Sequence, residues 1–399
     1  MTKLTTEGGF TLIEMLVAMT IMLAVTAGVF SVMNPSQGQF RAQPEVADMQ
    51  QRMRVGVDAL YKDLLMAGAG SYAGAQRGSL GNFFASILPY RQSANAGIDD
   101  GDLRFRDDGL TIFYVPPTTA QTTITDPMPN VSAELKVETD PGCPPQEQLC
   151  GFEVGMVVLI YDETGAYDTM TITHVQDSAA HLQHRQQGDL SKSYGAGAKV
   201  SQVAQHIYYW NQATDQLMHA GGAANDGGVP VVDNVVDVEF EYWGDPQPPT
   251  LRAPGVDQTT TYGPHPPKLG QPGGYWPAGQ NCIITTTGAG ADQQQTPRLP
   301  VLNGGNSGLV KLNDPGDPQT SLTDGPWCPD PNNSNRWDAD LIRIRRITAK
   351  LRVQAAVEAL RGTDTLLWRR PGKPNPAGQL LPDQEIRFDV TPRNLNLAR

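Results

Sequence analysis

The stretch GGFTLIEMLVAMTIMLAVTAGVFSVM, residues 8–33, decides how the rest of the chain is read. From Phe10 to Met33 it is apolar apart from Glu14 and scattered Thr and Ser. As a helix rising ~1.5 Å per residue it spans roughly 36 Å, enough to cross a hydrocarbon core of about 30 Å. A secretory signal puts small residues after its apolar core and is removed with it. Here the glycine pair comes before the core, so cleavage after Gly9 keeps the helix in the mature chain. Lys3 is the one basic residue ahead of the helix, a slight bias towards a cytoplasmic N-terminus.

Glu14 is the discordant residue. A carboxylate in an apolar span costs about 2.5–3.5 kcal/mol on insertion scales and calls for a partner. Cleavage after Gly9 creates an α-amino group on Phe10 at nearly the same depth. A cation on one subunit then neutralises Glu14 on another, or else Glu14 snorkels to the surface or is protonated. The chemistry alone leaves these open.

Beyond the leader and helix, the 399-residue chain keeps more than three hundred residues, room for one large domain or two modest ones. Charged residues are 18%, while Gly (41) and Pro (32) are abundant, which points to a β-rich, loop-rich head. The net charge of −12 leaves no global basic surface for a phosphate backbone, so no nucleic-acid partner is expected. Acidity of this kind serves solubility.

After Pro35 and Pro44, Val46, Met49, Met53, Val57, Leu60 and Leu64 recur three and four apart and draw one apolar stripe, predicted to pack on the chain's own sheet. Pro35 is positioned to kink the helix. Asp48–Arg52, Arg54–Asp58 and Asp58–Lys62 are i,i+4 pairs on other faces. Gly68, Gly70, Gly74, Gly78 and Gly81 close the helix. Strands are predicted at LTIFYV (110–115), GMVVLIYD (155–162), TMTITHV (169–175), HIYYW (206–210) followed by a turn and QLMH, and 385–390. The clearest runs from Val235 to Trp243, with Val236, Val238, Phe240 and Tyr242 on one face and Asp237, Glu239 and Glu241 on the other. A strand from Leu341 puts Ile342 and Ile344 on one face and Arg343 and Arg345 on the other. Its phase slips at Arg345–Arg346, where a β-bulge would restore one buried face. The basic side, with Thr348, Lys350 and Arg352, is expected to lie across from the acidic face of the 235–243 strand. A basic patch for an anionic partner is the alternative.

From Gly244 to about Pro331 the composition turns to Pro, Gly, Gln, Asn and Thr, longer than an ordinary loop. Four cysteines, Cys143, Cys150, Cys282 and Cys328, lack C-x-x-C spacing and allow three pairings. In an exported domain, disulfides Cys143–Cys150 and Cys282–Cys328 are favoured over free thiols in a reducing compartment. The second would clamp the insertion and leave it partly ordered.

Nothing requires catalysis. His181 and His184 in HLQH lack the convergent third and fourth ligands of a metal site and read as surface histidines. DPGDP (314–318) and DDGD (99–102) lack the register of a calcium loop and read as turns. No G-x-S-x-G, P-loop or H-E-x-x-H pattern is present. No enzyme activity, metal or cofactor is expected.

GGFTLIEMLVAMTIM resembles the class III signal of type IV pilins and type II secretion pseudopilins, and Gly9, Phe10 and Glu14 match that pattern residue by residue. The resemblance implies cleavage after Gly9 by prepilin peptidase, N-methylation of Phe10, and a role for Glu14 in docking subunits. Later blocks, DLLMAGAG, GMVVLIYD with TMTITHV, HIYYWNQATDQLMH, VVDNVVDVEFEYW and EIRFDVTPRNLNL, follow the order seen in PilW-type minor pilins, with the J-type pseudopilin a more compact relative. The implied fold is α+β and pilin-like: a long N-terminal hydrophobic helix packed on a mainly antiparallel head with a long insertion. The implied layout is leader 1–9, membrane and assembly helix 10–34, amphipathic helix 35–67, β-rich head 68–243, insertion 244–331 and completing strands 332–399. The implied function is a minor pilin for pilus initiation or the tip, alternatively a J-type pseudopilin or a tip-displayed adhesin using the insertion. Partners would be prepilin peptidase, other minor and major pilins through the N-terminal helix, and the inner membrane. The head would be periplasmic before assembly and at the cell surface in the pilus afterwards.

Overall fold

The apolar run and the amphipathic stripe that follows it belong to one α-helix, Leu12–Met66. It is drawn from a computed structural model that describes residues 9–70, 80–93, 97–98, 105–118, 120–145, 147–185, 190–222, 227–249, 263–305, 308–361 and 381–395. Side chains at 32–41, 93 and 97–98 are outside that description, as are the leader before Gly9, Gly74, Gly78 and the 99–102 run. The helix runs through Pro35 and Pro44 as one continuous element. The chain divides into two compact units, Met1–Gln51 with Gln354–Gln384, and Arg52–Val353 with Glu385–Arg399.

In the first unit, the Glu45 carboxylate accepts a hydrogen bond from the Ala356 N–H. The Leu381 N–H donates to Leu360 O at 3.0 Å, and Arg361 Nε donates to Ala355 O at 2.7 Å.

The second unit is a mainly antiparallel head. Its largest sheet orders Ile87–Leu88, Gly109–Tyr114, Ala204–Asn211, Gln216–Gly221 and Val229–Asp233, antiparallel throughout. A second sheet orders Gln121–Thr123, Lys199–Gln202, Val157–Tyr161 and Tyr167–Thr171, and a third Leu135–Lys136, His181–Gln183 and His174–Gln176. A fourth orders Val310–Lys311, Val235–Gly244, Ile344–Val353 and Gln384–Val390. The first two sheets share an aromatic core. Phe84 stacks on Tyr167 with centroids 4.5 Å apart, Phe113 meets the same ring edge-on at 5.6 Å, and Phe83 meets Tyr161 at 5.0 Å. Such pairs favour these offset and edge geometries because the ring faces are negative and the edges positive.

From Arg52 on, the helix belongs to this unit and lies close on its sheets. An added Cβ at Gly56 would stand 2.6 Å from Leu351 Cδ2, so glycine is what permits the approach. Leu60, Leu64 and Ala67 are fully buried on the same stripe. The helix ends at Met66, and the Gly68 N–H then donates to Phe113 O while the Val115 N–H donates to Ala69 O, both at 2.9 Å. Gly70 takes φ +74°, and a Cβ there would stand 2.5 Å from Val115 O.

The acidic and basic strands pair as the alternation implies. Asp237 faces Arg352, Glu239 faces Lys350 and Glu241 faces Thr348 across an antiparallel ladder. Trp243 then faces Arg346 while Gly244 faces Ile344, so Arg345 is the extra residue of a bulge. Its Nη1 donates to the carbonyls of Ile342 and Ile344 at 2.7 and 2.9 Å.

Two expectations need correction. TMTITHV is not one strand: the chain leaves the Val157–Tyr161 strand after the Ile172 N–H bonds Met156 O, and the Thr173 N–H bonds Gln183 O in another sheet. Alternation marks extended backbone but not its partner. Leu341–Arg343 is not strand either. It lies in a 3-10 turn, Ala339–Arg343, capped by the Asp338 carboxylate, which accepts from the Asp340 N–H at 2.9 Å. Arg343 is 1% exposed rather than solvated. It pairs with Asp340 at 2.6 Å and donates to the carbonyls of Pro246 and Pro300 at 3.1 and 2.6 Å.

The insertion is a built part of the head. Ile284–Thr287 and Gln294–Pro297 form a hairpin. Asn281 uses all its groups: Nδ2 donates to Pro264 O and His265 O, and Oδ1 accepts from the Ile283 and Ile284 N–H groups. Beyond it, Trp337 is fully buried and donates to Gly165 O at 2.9 Å. Asn335 reaches the Asp168 carboxylate, which also accepts from Ser191 N, Ser191 Oγ and Tyr194 Oη.

Candidate functional site

Gly9, Phe10 and Thr11 precede the helix and are exposed; Phe10 is 89% exposed. Thr11 is the N-cap. Its Oγ1 accepts from the Glu14 N–H at 3.4 Å, and the Glu14 carboxylate reaches back to accept from Thr11 N at 2.8 Å and Thr11 Oγ1 at 2.7 Å. This is a capping box, in which the N-cap and the third helical residue satisfy each other's donors. Within a single chain, then, Glu14 is already bonded to its own helix start.

Leu12–Ser31 is long and apolar enough to cross a membrane, with mean hydropathy 2.2 and none of it buried within the chain. Its side chains stand bare, Leu12 80%, Met22 72% and Leu23 70% exposed. The hydroxyls along it are satisfied internally. Thr20 Oγ1 donates to Leu16 O and Val17 O, Thr26 Oγ1 to Met22 O and Ser31 Oγ to Gly28 O. That suits a hydrocarbon surrounding, where no water completes them.

The family model for the prokaryotic N-terminal methylation motif matches residues 5–30. This match supports a type IV prepilin-like chain, of the pilin or pseudopilin class, and the bare apolar helix is consistent with membrane anchoring. The match takes in Gly9, Phe10 and Glu14. No curated protein and no solved structure matches the chain.

The other singled-out residues of this prepilin-like chain have plain surroundings. Cys143 bonds Cys150 and Cys282 bonds Cys328, with Cα atoms 5.5 and 5.2 Å apart. His181 Nδ1 lies 2.9 Å from Glu134 Oε1, and His184 Nε2 lies 3.1 Å from Ala133 O. His184 is 8% exposed, so it is buried rather than on the surface as expected. The DPGDP run forms Asx turns, with Asp314 Oδ1 accepting from the Gly316 N–H and Asp317 Oδ1 from the Gln319 N–H.

The strand charges form a network around Glu241. Lys311 Nζ, Lys350 Nζ and Arg387 Nη2 lie 2.9, 3.2 and 2.8 Å from its carboxylate, and Lys350 also holds Glu239 at 3.0 Å. Burial alone would raise the Glu241 carboxyl, but Lys311 and Lys350 carry it below its usual range. For Lys350, burial works to lower the ammonium, and Glu239 and Glu241 outweigh it and raise it. Cross-strand neutralisation accounts for Lys350.

Two features escaped the sequence reading. One is the capping box, although Thr11-Leu-Ile-Glu14 carries its signature. The other is a cluster of Asp63, His206 and His219, three residues whose ligand atoms all lie within 4.8 Å of one another. The available signal was Asp63 itself, an acid three residues after Leu60 on the apolar stripe. A second such group, Asp140 with Cys143 and Cys150, is spent on the disulfide.

Proposed function

We propose that the chain is a minor type IV pilin of the PilW type, cut by prepilin peptidase between Gly9 and Phe10 and N-methylated at Phe10. It is held as a single pass in the inner membrane with a periplasmic head. It then joins a filament through Leu12–Ser31, together with other minor and major pilins. The observation that carries this reading is the methylation motif on a bare apolar helix that continues into a large antiparallel head. A head of this size and irregularity suits an initiation or tip position, because every copy of a shaft subunit would have to accommodate it. Its role is structural rather than catalytic.

The stapled and packed insertion favours a subunit whose insertion completes the head over an adhesin hung on a passive stem. Cys282, Cys328 and Ile283 are buried, and the side chain of Asn281 has its hydrogen-bonding groups engaged.

The test is Gly9→Ala with prepilin peptidase co-expressed. The expected result is a precursor that stays full-length and fails to enter pili. Normal maturation of that variant would overturn the reading.

A further inference from the structure

We propose that Asp63, His206 and His219 form a binding site for one divalent transition-metal ion of the zinc class, pinning the helix to the largest sheet. Asp63 comes from the helix, His206 from Ala204–Asn211 and His219 from Gln216–Gly221. In the hairpin register Tyr208 faces His219 and His206 faces Gly221, so the two histidines are diagonal neighbours on the face that meets the helix. His206 Nδ1 lies 3.0 Å from Asp63 Oδ2 and 2.8 Å from His219 Nε2.

Three lone-pair atoms therefore converge on one small volume. A lone Nδ1–H on His206 can point well at only one of its two acceptors. A cation at the centre would serve all three lone pairs together. Ligands bound tetrahedrally at ~2.0–2.1 Å stand about 3.3 Å apart. The two spacings from His206 Nδ1, 3.0 Å to Asp63 and 2.8 Å to His219, need only a few tenths of an ångström of opening.

The surroundings are those of a metal's outer shell. Tyr208 Oη donates to Asp63 Oδ2 at 2.6 Å, which aims the carboxylate. Tyr114 Oη lies 3.3 Å from His206 Nε2, the ring nitrogen turned away from the cluster, and its ring stacks on the imidazole at 5.5 Å. A metal-bound histidine is normally fixed through its second nitrogen in this way. Asp63 is buried, while the His206 side chain is 22% exposed, which gives an ion an entry route and leaves a fourth position to water. The donor set of two imidazoles and one carboxylate suits zinc, cobalt or nickel. Calcium and magnesium take oxygen ligands, and soft copper(I) takes sulfur.

The test uses the full chain, tag-free in detergent and stripped with a chelator. Zn2+ is titrated against it, and Co2+ serves as a spectroscopic probe. The expected result is one ion per chain and cobalt d–d bands of a four-coordinate site. His219→Gln and Asp63→Asn should abolish both. Tyr114→Phe, which leaves the three ligands in place, should weaken binding about 10- to 100-fold. Should the ligand variants fail to fold by circular dichroism, the wild type decides: Zn2+ should protect His206 and His219, mapped by mass spectrometry, from diethyl pyrocarbonate. No saturable binding, binding unchanged in folded ligand variants, or no protection of the two histidines overturns the proposal.

Discussion

Removing the Cys282–Cys328 bond as a double Cys→Ala variant should destabilise the head more than removing Cys143–Cys150 in the same way. The bonds close loops with sequence separations of 46 and 7. Loop-closure entropy puts their contributions at about 4 and about 2.4 kcal/mol at 25 °C. The difference of roughly 1.6 kcal/mol is about fifteenfold in the folding equilibrium. Burial widens the gap, since Cys282 and Cys328 are fully buried and Cys143 and Cys150 only half so. The assay is guanidinium unfolding of the full chain in detergent, followed by tryptophan fluorescence, in which the buried Trp337 reports on the region the larger loop adjoins. An equal or smaller effect for the Cys282–Cys328 pair would refute the reasoning. So would an unchanged transition, because the insertion would then be a tethered loop and not part of the head.

Glu241→Gln should cost about 2 kcal/mol at pH 7, because it leaves Lys311 and Lys350 without their shared carboxylate. The folded Glu241 titrates below its ordinary 4.5, so this stabilisation is present above pH 4.5 and lost as pH falls through the lower folded value. The gap between wild type and variant, measured by chemical unfolding, should close in acid. Asp168 has the opposite sign: burial raises it from 3.8 to about 7. Its contribution is full below 3.8 and lost as pH rises through about 7, so the stability of wild type relative to Asp168→Asn should fall across that range. A parallel pair of pH profiles would contradict this. For Glu14, Gln retains an acceptor for the Thr11 N–H and Ala does not. If charge pairing between subunits governs assembly, both variants should be processed yet absent from pili; pili containing Glu14→Gln would point to helix capping as the residue's whole role.

Much of the fold could be read where a single physical pattern acts alone. The strand from Val235 has one greasy and one acidic side, and its basic partner shows the matching pattern, so their pairing and the bulge at Arg345 could be read. The readings failed where a second pattern overrode the first. Arg343 looks solvated by alternation but is buried among carbonyls and Asp340. TMTITHV alternates through a change of partner. Asp63 is surrounded by apolar helix positions, and its histidines lie more than one hundred and forty residues further along, so nothing local signals that they meet. The N-terminal methylation motif was the most legible feature, because its signal is contiguous.

The docking of the helix has a consequence for the order of events during synthesis. Gly56 closes against Leu351, and Gly68 lies so close to Leu395 that an added Cβ would stand only 2.8 Å from its Cδ2. The helix is synthesised well before these neighbours, which lie far along the chain. Val235–Gly244 likewise waits for Ile344–Val353 to become its neighbour. Closing such distant contacts is slow in any chain. Here the helix is laid down early and its seat arrives late, so the second half of the helix must stay uncovered until the strand carrying Leu351 has been made.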